Sequence, residues 1–244
     1  MKNVNKNKLC TPAYFNFLDE NINTYRIAAI VEIFIDNFDI IKNSLITNQG
    51  HTLEITKSIL SEFDNRTKLN KFSQDVNKIV LIRLVDNFNT YLSEVINLII
   101  TVRPEILKTS DKIEIEKVLS FSSIEEFRLY LFEKKVNSLS NQGFSKIVDF
   151  LKDKIRLNFI INENDNQLLI KAVDIRNLFV HKRGVVDNKY LDKNKEIGYQ
   201  LGQVINITIE ELKGYTNSIE NTVRIIEDAV LKKFGDKIQQ YLSR

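Results

Sequence analysis

The stretch Asp174-Ile175-Arg176-Asn177-Leu178-Phe179-Val180-His181-Lys182-Arg183-Gly184 holds the residue types with the most chemistry in the chain. His181, one of only two histidines, is the kind of side chain best suited to move a proton near neutral pH. Arg176 presents a planar fork of donors that matches phosphate oxygens. Asn177 can hydrogen-bond a phosphate oxygen or fix the His181 ring. These types at this spacing point to chemistry at a phosphodiester, with no metal and no other cofactor.

The reaction they suit is RNA cleavage by transesterification. The ribose 2′-OH must lose a proton as it attacks the adjacent phosphorus, and the departing 5′-oxygen must gain one. His181 fits either role, as general base or as general acid. Arg176 would neutralise charge building on the non-bridging oxygens. Lys182 and Arg183 add positive charge that favours RNA binding in a salt-sensitive way. Asp174 is expected to support the site, by orienting Asn177 or by pairing with Lys171 or Lys182. The expected products are a 2′,3′-cyclic phosphate and a 5′-hydroxyl.

Positioning these residues requires a helix over about 165–181, with Gly184 as its stop signal. At about 100° per residue, Leu168, Ala172, Ile175 and Phe179 make one apolar stripe. Asp174, Asn177 and His181 make a polar one. Arg176 falls beside that stripe, about 140° around the axis from His181. One helix therefore does not aim both at one atom, whereas two copies related by a two-fold axis would. The expectation is a homodimer with a composite site.

The remaining sequence reads as helices with few breakers: seven Gly and two Pro in 244 residues. Thr11-Pro12 marks a helix start, and apolar spacing predicts one long helix from Ala13 to about Ser44. A shorter helix is expected over Thr52–Arg66. Phe72–Thr101 is the longest apolar-periodic segment, ending at Pro104. Short or medium helices are expected over Lys112–Leu119, from Ser122-Ser123 to about Ser140, and over Ser145–Leu157. Residues 185–207 read as an irregular or β-hairpin arm. Thr208-x-x-Glu211 then opens a last helix over Ile209–Phe234, which Gly235 interrupts and Lys237–Leu242 continue. The expected fold is all-α: an elongated multi-helix bundle in one domain over 1–244, with N-terminal helices over 12–110 and a core carrying the catalytic helix over about 120–242.

A net charge of +3 allows nucleic-acid contact without demanding it, so any electrostatic site must be local. A single cysteine, Cys10, rules out an internal disulfide and a multi-thiolate metal site, which suits a reducing cytoplasm. Val95–Val102 is apolar but too short to span a bilayer. No secretory leader is expected after the polar Met1–Lys8. His51 has no second ligand beside it and reads as a surface or capping residue. Tyr14, Phe15 and Phe17 read as core, as do Phe121, Phe127, Tyr130, Leu131 and Phe132. No phosphate-binding glycine loop is present.

Arg176-Asn177-Leu178-Phe179-Val180-His181 resembles the R-N-x-x-x-H signature of HEPN-domain ribonucleases. The resemblance continues with Gly184, Asp187 and Tyr190-Leu191, and with Leu201–Thr208 before a long helix, as in the RiboL-PSP-type branch. Upstream, only helical character and the segment Leu84–Leu92 fit. The resemblance implies a metal-independent endoribonuclease acting across a dimer, with Arg176 and His181 as the catalytic pair and Asn177 as the polar residue after the arginine. It also implies toxin or antiphage abortive-infection biology, with a possible antitoxin or defence-system partner. Toxins of this kind that are adenylylated carry a tyrosine two positions after the histidine; here Arg183 stands there, so that regulation is not expected. The alternatives are a non-catalytic module of the same type that binds RNA or a protein partner, and a helical scaffold subunit.

Overall fold

The computed structural model describes residues 10–47, 63, 66–107, 113–142, 144–194 and 198–243. Among them the chain is all-α, as its periodicity predicts. The helices are α1 (Pro12–Asp36), α2 (Phe38–Thr47), α3 (Arg66–Val102), α4 (Ile115–Leu119), α5 (Ile124–Gln142), α6 (Phe144–Asp149), α7 (Glu163–Lys182), α8 (Asn188–Lys193) and α9 (Ile209–Leu242). A 3-10 turn, Pro104–Leu107, follows α3 at the expected proline, and a π turn, Phe150–Lys154, extends α6. His51 and most of the helix expected over Thr52–Arg66 lie outside the described residues. No helix among those described is long and apolar enough to cross a membrane.

Several boundaries move for local reasons. The single helix expected over Ala13–Ser44 is divided at Asn37, whose side-chain amide donates to the Ile33 carbonyl at 2.9 Å. That carbonyl also accepts the Asn37 backbone N–H at 3.1 Å, so side chain and backbone compete for one acceptor. The helix expected from about residue 165 begins two residues earlier, on a cap. Asn162 Oδ1 accepts from the Asp165 amide at 2.8 Å, and Asn162 Nδ2 donates to the Asp165 carboxylate at 2.6 Å, so α7 begins at Glu163. Gly235 does not interrupt α9, which runs on to Leu242 with Phe234 and Ile238 buried. The Ser123-x-x-Glu126 and Thr208-x-x-Glu211 caps form as expected, with the Glu126 and Glu211 amides donating to the Ser123 and Thr208 hydroxyls at 3.1 and 3.2 Å.

The contacts divide the chain into two compact units whose boundaries fall inside α1, α3, α7 and α9. The first comprises the described parts of Met1–Leu18, Asn87–Ile170 and Ile219–Arg244. Its core includes Phe17, Phe88, Tyr91, Val95, Ile99, Leu151, Val223 and Val230. Thr11 caps α1 by accepting the Tyr14 amide at 3.1 Å. Its own N–H and hydroxyl donate to the buried Glu227 carboxylate at 2.6 and 2.9 Å. Phe17 is core as expected, but Phe15 is exposed, and Phe121, Phe127, Tyr130, Leu131 and Phe132 are only half-buried. Instead of entering the core, the Phe121 and Tyr130 rings meet 5.2 Å apart, with Lys117 over both.

The second unit comprises the described parts of Asp19–Asp86 and Lys171–Ser218. Leu81, Leu84, Val85, Ala172, Ile175, Leu178, Val186, Ile205 and Tyr215 are buried there. The whole 174–184 motif lies in this unit.

Candidate functional site

Helix α7 ends at Lys182 because the next two residues leave right-handed space: Arg183 has φ 55° and Gly184 has φ 80°. Glycine is required at 184 for a second reason. A Cβ there would stand 3.0 Å from two ring carbons of Phe179. The Gly184 amide donates to the Leu178 carbonyl at 2.9 Å, and the Gly184 carbonyl accepts from the Ile205 amide at 2.9 Å. The helix end is thereby tied to the arm.

The arm holds one isolated antiparallel bridge, Val185 with Val204, flanked by bonds from Val186 N–H to the Gln203 carbonyl and from Gly202 N–H to the Val186 carbonyl, both 2.9 Å. The irregular-or-hairpin expectation thus resolves to an irregular arm, and it encloses the short helix α8, which the periodicity did not indicate. Asp187 starts α8 by accepting the Tyr190 amide at 2.9 Å. The six residues of α8 carry Lys189, Tyr190 and Lys193. Lys193 closes back on α7 through an ion pair with Asp174 at 2.9 Å.

Between α7 and α8 lies a groove of about 300 Å³. From α7 it is lined by Asp174, Asn177, Leu178, His181 and Lys182. Asp187, Lys189, Tyr190 and Lys193 line the other side. The polar stripe expected on the helix is therefore real, and it faces a groove. His181 is exposed in the last turn of α7, and among the described residues it makes no hydrogen bond or ion pair. A positive charge at that position suits the helix dipole.

Arg176 is placed differently. It does not line the groove. Its Nη2 meets the Asp86 carboxylate of α3 at 2.6 Å, and its Nη1 donates to Asn177 Oδ1 at 3.1 Å. Its Nε is buried without a partner. Its guanidinium is engaged by Asp86 and Asn177 and makes no hydrogen bond to His181. Three smaller expectations are corrected. Asp174 pairs with Lys193, because α8 brings that ammonium to it. Lys171 is 3.8 Å from Glu211 and lies over the Tyr215 ring, so it is not Asp174's partner either. Asn177 spends its carbonyl oxygen on Arg176 and does not fix the His181 ring. Of the supporting cations, Lys182 reaches the groove and Arg183 does not.

Tyr190 is buried, and its hydroxyl has no hydrogen-bond partner. Burial first, then Tyr199, Asp174 and Glu211, push that hydroxyl far above the ordinary tyrosine range. It stays protonated. Among the described residues no group of three His, Cys, Asp or Glu side chains is arranged to hold a metal ion.

Lys189, Lys193 and Asp86 are the site neighbours that the sequence reading missed. Asp187-x-x-Tyr190 is a capping spacing and could have revealed α8. Nothing local marks Asp86 as the partner of a residue ninety positions away. In comparisons with known proteins, no family model, no curated protein and no solved structure matches the chain.

Proposed function

We propose that the chain is a metal-independent endoribonuclease of the HEPN type, acting as a homodimer with a composite site. The observation that carries this reading is the groove. Among the described residues an unpartnered His181 stands in it beside Asn177 and Lys182, while Arg176 does not line it and is engaged by Asp86 and Asn177. His181 takes the 2′-OH proton or protonates the leaving 5′-oxygen. Arg176 of a second copy stabilises the phosphorane oxygens. The setting is toxin or antiphage defence in the cytoplasm, with RNA as substrate and an antitoxin or defence-system component as a further partner.

Growth and total RNA integrity after overexpression of the wild type and of His181→Ala test the reading. Toxicity and RNA fragmentation are expected from the wild type alone. Purified protein should cleave RNA in EDTA, leaving 2′,3′-cyclic phosphate ends, and should leave DNA intact. If His181→Ala is as toxic and as active as the wild type, the reading is wrong.

The Arg176–Asp86 ion pair favours a second reading, in which Arg176 is structural and the groove only binds RNA or a protein partner. Under it, RNA binding is measurable and cleavage is never detected.

A further inference from the structure

Each of the groove's two carboxylates has one oxygen engaged, while Asp174 Oδ2 has no hydrogen-bond partner. Asp174 is only 11% exposed and holds Lys193 at 2.9 Å. Asp187 accepts the Tyr190 amide that starts α8. The Lys182 and Lys189 ammoniums are exposed, and among the described residues neither has a partner. The groove therefore carries three ammoniums against two carboxylates, with Lys182 on one wall and Lys189 on the other outside any ion pair among the described residues, and Lys193 half-exposed beside Asp174. Its one aromatic residue, Tyr190, is only 3% exposed, so no ring is offered for a base to stack on. A site with free ammoniums and no stacking platform holds phosphate and is indifferent to the base.

We infer that the α8 side of the groove is a subsite for a second backbone phosphate, adjacent to the scissile one. In it Lys189 makes the main contact and Lys193 assists. This rests on the ribonuclease reading of His181 and adds to it a preference for substrates with at least two consecutive phosphates, without base preference at this position. About 300 Å³ is the lower end of the ligand-cleft range, enough for one nucleotide unit.

The test compares a dinucleoside monophosphate with trinucleotides extended at the 5′ or the 3′ end. Wild type should cleave one of the trinucleotides with the higher kcat/KM. Lys189→Ala should lower kcat/KM on that trinucleotide by about threefold to tenfold, mostly through KM, and leave the dinucleoside unchanged. Lys189→Arg, which keeps the charge, should restore it, and Lys193→Gln should lower it less. Equal loss on both substrates, or no loss on either, overturns the subsite. If the wild type cleaves nothing, the ribonuclease reading fails, and binding of a fluorescent 2′-O-methyl oligonucleotide decides the subsite alone. Lys189→Ala should then flatten the log–log salt dependence by about 0.7. An unchanged slope, no binding, or tighter binding of an oligoglutamate peptide overturns it.

Discussion

Arg176 of α7 and Asp86 of α3 form an ion pair at 2.6 Å, so the arginine of the R-x4-H motif is held by a carboxylate and not by its own histidine. Asp86 is about half-exposed and the Arg176 side chain 22% exposed, and a pair only partly withdrawn from solvent contributes about 1 kcal/mol to stability. On the proposed ribonuclease reading, its effect on a bound phosphodiester would be larger in consequence. Arg176 must leave Asp86 to reach a phosphate, and the carboxylate repels that phosphate. Asp86→Asn is therefore expected to raise the RNA cleavage rate by about threefold to tenfold with little change in Tm, as read by a fluorogenic RNA. A fall in rate would mean that Asp86 orients Arg176 for the reaction.

The proposed composite site makes a prediction about pairs of inactive variants. Arg176→Ala and His181→Ala should each abolish cleavage. In a composite site, a heterodimer of the two has one intact site, built from the wild-type arginine of one copy and the wild-type histidine of the other. After mixing and subunit exchange, half the dimers are mixed, so about a quarter of wild-type activity should return. No recovery after demonstrated exchange would place the whole site within one copy.

The end of α7 can be made worse or better at adjacent positions. Gly184→Ala puts a side chain at φ 80° and against the Phe179 ring. The backbone conformation alone costs an L-residue about 1–2 kcal/mol, so Tm should fall by about 5 °C. Arg183 already bears such a cost at φ 55°. Arg183→Gly should relieve it and raise Tm by a few degrees, and since Arg183 does not line the groove, cleavage should be unchanged. Thermal melts of the two variants in parallel check both signs.

The helices were legible because their signals are local. Thr11-Pro12, Ser123-x-x-Glu126 and Thr208-x-x-Glu211 each announce a start within four residues, and α3 repeats its apolar positions over many turns. The polar stripe Asp174, Asn177, His181 needed only the helical angle. What sequence spacing did not show depends on the return of the chain. Lys193 meets Asp174 because Gly184 and Asp187 turn α8 back over α7, and Asp86 meets Arg176 across ninety residues. The break at Asn37 was also hidden, because one side-chain amide competing for one carbonyl leaves the apolar pattern intact.

Glu227 gives the first unit a dependence on pH that can be assigned a sign. It is buried, and burial raises its carboxyl above the usual 4.5, against the hydrogen bonds from Thr11 and Tyr91 that pull the other way. A raised value in the folded state means that the folded protein holds this proton more tightly than the unfolded chain. The associated stability is fully present below about pH 4.5 and is lost as pH rises through the folded-state value. Glu227→Gln removes the titration while keeping a carbonyl oxygen to accept from Thr11. In that variant the decline of Tm over this window should flatten, after subtraction of the changes shared with wild type. Glu227→Ala instead leaves the Thr11 N–H and hydroxyl without their buried acceptor, and should cost about 2–3 kcal/mol below about pH 4.5 and less as pH rises. If Glu227→Gln keeps the full slope, another buried group carries the dependence, and the Thr11–Glu227 contact serves only to anchor the start of α1.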